Sequence, residues 1–167
     1  PDGATLAVVR STRSPTVVVR PVLTLIDVAS GRQREIGKGF DAWPHPGDWT
    51  ADGRSIVFNA DVAGHVPVYS IDVATEAVTR ITETRSGGAH SELAVLKDGR
   101  IAGIRSTFLE PPEAFAVTHR ADSPPQVLAK LSGFDFPDWA TVEDGSATST
   151  DGAAIQYFVT RPAKVDG

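Results

Sequence analysis

The sequence predicts an all-β fold, and three observations support that class. Its 167 residues include 15 glycines and 12 prolines spread along the chain, which indicates many turns. Between the turns lie short runs rich in Val, Ile, Leu, Phe and Thr, the residues that suit a pleated, half-buried surface. Uninterrupted stretches with the period of a helix are hard to find. The predicted strands are Leu6 to Arg10, Val22 to Val28, Arg34 to Gly37, Ser55 to Asn59, Val66 to Asp72, Ala77 to Thr82, Glu92 to Leu96, Ile101 to Ser106, Ala114 to His119 and Gln126 to Leu131.

An internal repeat indicates how these strands are arranged. The pairs Asp2-Gly3, Asp52-Gly53 and Asp98-Gly99 are each followed, two or three residues after the glycine, by Leu or Ile. Their spacing of about 46 to 50 residues is the period of a propeller blade. Because Asp tolerates left-handed backbone geometry and Gly adopts it freely, each pair is predicted to reverse the chain between two strands.

A second pattern repeats at a similar interval. Asp27 ends an apolar strand nine residues before Ile36, and Asp72 stands nine residues before Ile81. The carboxylates of Asp27 and Asp72 are predicted to bind nearby backbone N–H groups within their turns. A single four-stranded sheet cannot bury both of its faces, so several must stack around an axis. We therefore predict a partial β-propeller of about three blades, each a four-stranded antiparallel sheet.

The last part of the chain departs from the repeat. An aromatic-rich connection, Phe134 to Trp139, follows the last predicted blade strand. A fourth pair, Asp151-Gly152, then introduces a strand of alternating character that ends at Pro162. We place a domain boundary within residues 132–148 and divide the chain into propeller blades over residues 1–140 and a second unit over residues 141–167.

Composition and charge exclude several function classes. The net charge is −5 and the 16 Lys and Arg residues are scattered, so no basic face suited to nucleic acid is predicted. No apolar run has the length of a membrane span, and we predict no membrane partner. The chain has no cysteine, and its four histidines lie far apart, so neither a metal site nor any other cofactor is predicted. The compartment, cytoplasmic or periplasmic, is left open.

Four segments occur in an order that is similar to a known family. They are Trp49 to Phe58, Val68 to Asp72, Arg105-Ser106-Thr107 leading to Pro111-Pro112-Glu113, and Thr150-Asp151-Gly152 leading to Arg161-Pro162. Together they resemble the prolyl oligopeptidase family of serine peptidases, in particular its dipeptidyl aminopeptidase and acylaminoacyl peptidase branch. The last segment resembles that family's passage from propeller into α/β-hydrolase domain. The resemblance therefore implies that residues 141–167 are the hinge and first strand or strands of a truncated hydrolase domain.

The resemblance also implies an activity. Enzymes of this family cleave short peptides, and their propeller acts as a lid or filter over a catalytic site that uses a serine, a histidine, an aspartate and an oxyanion hole. The Gly-x-Ser-x-Gly turn of α/β-hydrolases is absent, since neither Gly145-Ser146 nor Ser86-Gly87-Gly88 fits it. We therefore expect the catalytic triad beyond Gly167, no catalytic residue in this chain, and no activity from the chain alone.

Partners follow from the same expectation. The chain starts at Pro1 inside a predicted turn and stops after the first hydrolase strand, so we expect it to be a truncated piece. About three blades cannot close a ring, and exposed sheet faces and edges then favour association. The expected partners are the remainder of the same polypeptide, a peptide substrate in the parent enzyme, and a second copy of the chain through self-association.

A few residues are candidates for binding. Arg105 and Glu110 flank a loop before Pro111 and would hold a peptide terminus by a charge-assisted bond if they reach the central cavity, although a solvated pair of loop charges is the commoner arrangement. Trp49 and Trp139 are candidates for lining a cavity, with packing beside a turn as the favoured role. His90 is interpreted as a surface residue in a loop, with no partner acid to make it a general base.

Two alternatives to a peptidase remain. A purely binding propeller, similar to the periplasmic propellers that scaffold envelope complexes through Trp-x-x-Asp-Gly repeats, predicts a further blade after Trp139. A self-contained β-sandwich without activity requires the spacing of the Asp-Gly pairs to be coincidence, and it is the least favoured of the three.

Overall fold

A computed structural model of the chain describes residues 2–11, 16–17, 19–85, 87–133 and 139–163. Every regular element in these residues is a β-strand, and the strands pair in antiparallel sheets, as the all-β prediction requires. No helix in the described ranges is long and apolar enough to cross a bilayer. Pro1 of the first predicted turn, and Phe134 to Asp138 of the aromatic connection, lie outside the described residues.

Three sheets follow one another along the chain, and each is termed a blade. Blade I contains β1 (Thr5–Arg10), β2 (Val22–Asp27) and β3 (Gln33–Ile36). Blade II contains β4 (Trp43–Pro44), β5 (Asp48–Trp49), β6 (Ser55–Asp61), β7 (Val68–Asp72) and β8 (Val78–Arg80). Blade III contains β9 (Ala89–Val95), β10 (Ile101–Ser106), β11 (Glu113–Val117) and β12 (Gln126–Lys130). A separate hairpin contains β13 (Ala140–Thr148) and β14 (Ala154–Pro162).

The structure adds strands that the sequence did not predict. β4 and β5 are only two residues long and lie among prolines and Gly47, which hides any period-two pattern. β13 falls in the region predicted as a boundary, because its polar residues and Gly145 lack the apolar alternation of a strand. It is formed by pairing with β14 along its whole length. In the described residues blade I has three strands, one fewer than predicted for a blade.

Blade II is buried on both faces, and this determines how the blades stack. Successive residues of a strand point to opposite faces of the sheet. In β6, Ile56 and Phe58 pack in a cluster with Leu23 of blade I, while Val57 between them packs in a second cluster with Phe115 of blade III. The apolar core therefore lies between the blades, and each blade depends on its neighbours for burial.

The four Asp-Gly pairs share one local geometry. In each pair the aspartate Oδ1 accepts a hydrogen bond from the backbone N–H two residues later, and the glycine has a positive φ. The φ angles are +75° at Gly3, +68° at Gly53, +83° at Gly99 and +86° at Gly152. Positive φ strains a residue with a side chain, so glycine suits this position. Asp52-Gly53 and Asp98-Gly99 precede inner strands of their blades, Asp2-Gly3 precedes the edge strand β1, and the fourth pair joins β13 to β14.

Connections between consecutive antiparallel strands alternate between the two ends of a blade. The β5–β6, β7–β8 and β9–β10 turns lie at one end, here termed the turn end. The β6–β7 loop (residues 62–67) and the β10–β11 loop (residues 107–112) lie at the other end, termed the loop end. Phe158 of the hairpin contacts both of these loops, through His65 and Phe108, and so places them side by side.

Candidate functional site

A cavity of about 580 Å³ opens beside blade III, along the connection from blade II, and extends to the loop end. Its walls come from the β8–β9 connection, the β10–β11 loop, the β11–β12 loop and the start of the hairpin. Ligand pockets commonly span about 300–1,000 Å³, so the cavity has room for a short peptide segment. Its lining includes Arg105, Glu110, His90 and Trp139.

Arg105 is the middle member of a row across three strands of blade III. In the register of the sheet it lies directly opposite His90 of β9 and Glu113 of β11. Residues that are directly opposite share a face, so the three side chains are neighbours. The Nε and Nη2 atoms of Arg105 both contact Oε1 of Glu113, which is nearly buried. This ion pair anchors the guanidinium group at the cavity wall.

Glu110 approaches Arg105 from the β10–β11 loop. Its carboxylate lies 3.9 Å from Nη2 of Arg105, at the outer limit of an ion pair. The loop has internal support, because Thr107 Oγ1 accepts hydrogen bonds from the N–H groups of Leu109 at 3.1 Å and Glu110 at 2.9 Å. The Glu110 side chain is 56% exposed. The backbone at Glu110 is therefore held beside the cavity, while its carboxylate is accessible to a ligand.

His90 is not the surface loop residue that the sequence predicted. It lies in β9 and is only 5% exposed, because β9 starts three residues before the predicted strand. Its Nδ1 donates a hydrogen bond of 3.0 Å to the carbonyl of Val66, and its ring meets Phe115 edge to face. Burial lowers the pKa of His90, the bond to Val66 opposes this, and the nearby Arg105 cation lowers it further. The imidazole is therefore neutral at pH 7, and it forms part of the cavity wall.

Acidic groups outnumber basic groups around the cavity. The charged lining residues are Glu83, Glu110, Asp122, Arg85 and Arg105. Arg80, behind the wall, holds Asp122 through two hydrogen bonds of 3.0 and 2.9 Å, and Glu113 engages Arg105. Glu110 has only the distant contact with Arg105. The cavity is therefore better suited to a cationic group, such as the ammonium group of a peptide, than to a second anion.

The two candidate tryptophans have different surroundings. Trp139 lines the cavity next to Ala140 and is 50% exposed, and its carbonyl accepts a hydrogen bond of 2.9 Å from the N–H of Ala163. Trp49 packs against the core cluster shared by blades I and II. Packing was the favoured role for both residues, whereas Trp139 lies in the cavity wall. An exposed indole there offers an apolar surface to a ligand.

A second cavity, of about 680 Å³, lies at the turn end between blades I and II. Trp49 lines it together with residues of several turns. The carboxylates of Asp27 and Asp52 accept hydrogen bonds inside their own turns, and Arg34 binds Glu76 at 2.8 Å. Most of the polar groups in this cavity are therefore engaged in the fold, which makes the cavity beside Glu110 the better candidate for binding.

The ring nitrogens of three described histidines have partners other than a hydroxyl group. Throughout the described ranges, no serine or threonine hydroxyl hydrogen-bonds to a histidine ring nitrogen, which is the contact that activates a nucleophile. His90 uses Nδ1 for a backbone carbonyl, and His45 and His65 each bind an aspartate. The chemistry available at the cavity is ion pairing, hydrogen bonding and apolar contact.

Sequence reasoning missed several residues of this region. Glu113 has a detectable signal, because Arg105 and Glu113 flank a short loop between two predicted strands and can pair across it. His65, Asp144 and Phe158 have no such signal. His65 Nε2 donates a hydrogen bond of 2.9 Å to Asp144, 79 residues away, and only the folded chain brings them together.

Comparisons with known proteins identify the architecture. No protein-family model matches the sequence, and no curated protein matches it in a sequence comparison. A TolB protein of Agrobacterium tumefaciens aligns with a TM-score of 0.65 and 18% identity, over 97% of this chain and 56% of that chain. The AtxE2 isopeptidase aligns with a TM-score of 0.68 and 14% identity, over 96% of this chain and 24% of that chain. A structure from a study of two prolyl endopeptidases aligns with a TM-score of 0.63 and 16% identity, over 98% of this chain and 24% of that chain.

The fold is that of a β-propeller. Both kinds of neighbour contain such a propeller, and the three stacked blades of this chain align with it along almost their whole length. At these identities the likeness establishes the fold alone. The chain spans about half of the TolB protein and about a quarter of each peptidase.

Proposed function

We propose that this chain is part of the propeller of a serine peptidase of the prolyl oligopeptidase type, and that its loop-end cavity selects peptide substrates. The narrower assignment is the dipeptidyl aminopeptidase and acylaminoacyl peptidase branch. In this proposal the propeller filters short peptides for a catalytic domain that follows it. One observation carries the proposal, namely that Arg105, Glu110 and Trp139 meet in a cavity large enough for a peptide end.

The contacts at the cavity supply a mechanism for this selection. Glu110 is accessible and only weakly compensated, so its carboxylate accepts a charge-assisted hydrogen bond from the ammonium group of a peptide. Arg105, held by Glu113, completes the charged wall and is available to a peptide carbonyl or carboxylate. Trp139 offers an apolar surface for the adjoining side chain.

The position of the hairpin supports a second domain after the blades. At Ala140 the chain leaves the three blade sheets and forms the separate β13–β14 pair. The predicted boundary between residues 140 and 141 coincides with this departure and stays a prediction. The two peptidases among the structural neighbours are consistent with the same proposal.

A non-enzymatic binding propeller is the second candidate function. The TolB match favours it, because the chain spans 56% of that protein against 24% of each peptidase. In this alternative the cavity would hold a segment of a protein partner, and no hydrolase domain would follow the hairpin.

Reading the coding sequence beyond Gly167 separates the two candidates. The peptidase proposal expects an α/β-hydrolase with a Gly-x-Ser-x-Gly turn, and the binding propeller expects another blade. A serine-directed fluorophosphonate probe should label the extended protein and leave the 167-residue chain unlabelled. An extended protein that carries no such turn and takes up no label would overturn the peptidase proposal.

The role of Glu110 is tested by titrating the chain with short peptides and following its amide resonances by NMR. We expect a peptide with a free amino terminus to bind about tenfold more tightly than its acetylated form, and Glu110→Gln to abolish that preference, because a charge-assisted hydrogen bond is lost. Glu143→Gln is the matched control, since Glu143 has similar exposure and lies outside the cavity. Equal binding of the free and acetylated peptides would rule out recognition of the terminus by Glu110.

A further inference from the structure

A cluster of aromatic rings joins the hairpin to the loop end of the blades. The Phe158 ring of β14 lies edge to face with His65 of the β6–β7 loop, with 5.3 Å between ring centres. The same ring meets Phe108 of the β10–β11 loop edge to face, with 5.0 Å between ring centres. His65 Nε2 also donates a hydrogen bond of 2.9 Å to Asp144 of β13. These four residues, His65, Phe108, Asp144 and Phe158, are termed the clamp.

Two glycines make room for the clamp. A Cβ atom on Gly64 would lie 2.5 Å from the Phe158 ring, and a Cβ atom on Gly87 would lie 2.3 Å from the Phe108 ring. Both glycines also have positive φ angles, of +78° and +68°. The rings therefore rest directly on backbone in two different connections. Close seating of this kind fixes the position of an aromatic ring more firmly than contact with flexible side chains does.

The clamp touches the same segments that form the cavity. Phe108 is followed in the β10–β11 loop by Leu109 and Glu110, which line the cavity. Gly87, under Phe108, is followed by Gly88 in the wall formed by the β8–β9 connection. The hairpin that carries Phe158 starts beside Trp139, whose carbonyl is held by the N–H of Ala163 at its other end. The position of the hairpin therefore affects three walls of the cavity: the β10–β11 loop, the β8–β9 connection and the segment at Trp139.

We propose that docking of the β13–β14 hairpin through the clamp positions the Glu110 loop and Trp139, so that the hairpin controls the shape of the cavity. Phe158 and His65 are positioning residues in this mechanism, and neither lines the cavity. When Phe158 leaves its seat between the two loops, Phe108 loses its ring contact and the loop bearing Glu110 loosens. The identity of the ligand rests on the proposed function, but the coupling between hairpin and loop does not.

Amide hydrogen exchange, measured residue by residue by NMR without any peptide, tests this coupling. Phe158→Ala should raise the exchange rate about tenfold at three hydrogen-bonded amides of the β10–β11 loop, those of Thr107, Leu109 and Glu110. These amides lie outside the hairpin that carries the substitution. The hydrogen-bonded amides of Gly53 and Gly99 at the turn end should be unchanged. Ile155→Ala is the matched control, because Ile155 is exposed on the opposite face of the same strand.

Two outcomes would overturn the proposal. One is a rise in exchange that is confined to residues 140–162. The other is an equal rise in the Ile155→Ala control. If Phe158→Ala accelerates exchange at the turn end as well, Asp144→Ala decides the matter, since it removes the hydrogen bond to His65 and keeps all the rings. It should raise exchange about threefold in the β10–β11 loop and leave the turn end unchanged, and no rise in that loop would overturn the coupling whether or not the cavity binds peptides.

Discussion

The aspartates of the turns at the turn end and the charged residues of the loop end differ in where their partners lie. At the turn end, Asp52 and Asp72 accept hydrogen bonds from N–H groups only two or three residues away. At the loop end, charged groups meet partners from other elements, as Arg105 does with Glu113. The geometry of these Asp turns is therefore a property of local sequence, whereas the geometry around Arg105 is a property of strand register and docking.

The same contrast indicates where functional residues lie in a repeating fold. The Asp-Gly pair recurs even outside the blades, where Asp151 accepts the same backbone hydrogen bond in the hairpin. Its recurrence marks it as a device for reversing the chain. Arg105 and Glu110 have no counterparts in the repeats that were recognised, and they lie together in a cavity. In this chain, the residues that recur build the fold, and residues without a counterpart form the candidate site.

The largest expected loss of stability comes from removing an aromatic ring that is buried between the blades. Phe115 is fully buried between blades II and III, and its ring packs against His90. Phe115→Ala should lower the free energy of unfolding by about 3–5 kcal/mol, because it removes apolar contacts and leaves a cavity. Urea unfolding followed by circular dichroism measures the loss. Leu128→Ala on the exposed strand β12 is the control, and a loss at Phe115 no larger than the control would contradict the stacking of these blades.

The two ends also differ in how far the sequence predicted them. The turns at Asp52 and Asp98 were predictable because both partners of each hydrogen bond lie within the turn. The prediction for His90 was wrong because its buried surroundings include Val66, 24 residues earlier, and Phe115 of β11, which only the folded chain brings to it. β13 was missed for a related reason, since its pairing with β14 forms the strand and its own residues give little signal. Local chemistry is visible in a single sequence, whereas register and docking depend on the folded chain.

A smaller loss of stability is expected at Gly47, where two backbone segments lie in close contact. A Cβ atom on Gly47 would lie 1.7 Å from the carbonyl oxygen of Val57, which cannot move without disturbing β6. Gly47→Ala should therefore destabilise the chain by about 1–3 kcal/mol through overpacking. Gly39→Ala is the matched control, because the space around Gly39 is open and its φ is not positive. Equal urea midpoints for the two variants would show that β6 leaves room for a methyl group at position 47.

The smallest expected effect lies at the turn end and depends on pH. Hydrogen bonds from the backbone and side chain of Thr75 hold the pKa of Asp72 below its ordinary value. A carboxylate whose pKa is lower in the folded chain stabilises it above the ordinary pKa of about 4, and this contribution disappears as the pH falls through the lowered value. Asp72→Asn should therefore lower the urea midpoint at about pH 7, and the gap to the parent chain should narrow at about pH 3. Asp41→Asn, at an exposed carboxylate outside these turns, should show little change at either pH. If the difference in urea midpoint between Asp72→Asn and the parent chain is the same at both pH values, the turn depends on the shape of this side chain and not on its charge. The charge of Asp72 would then have no part in stabilising the turn end.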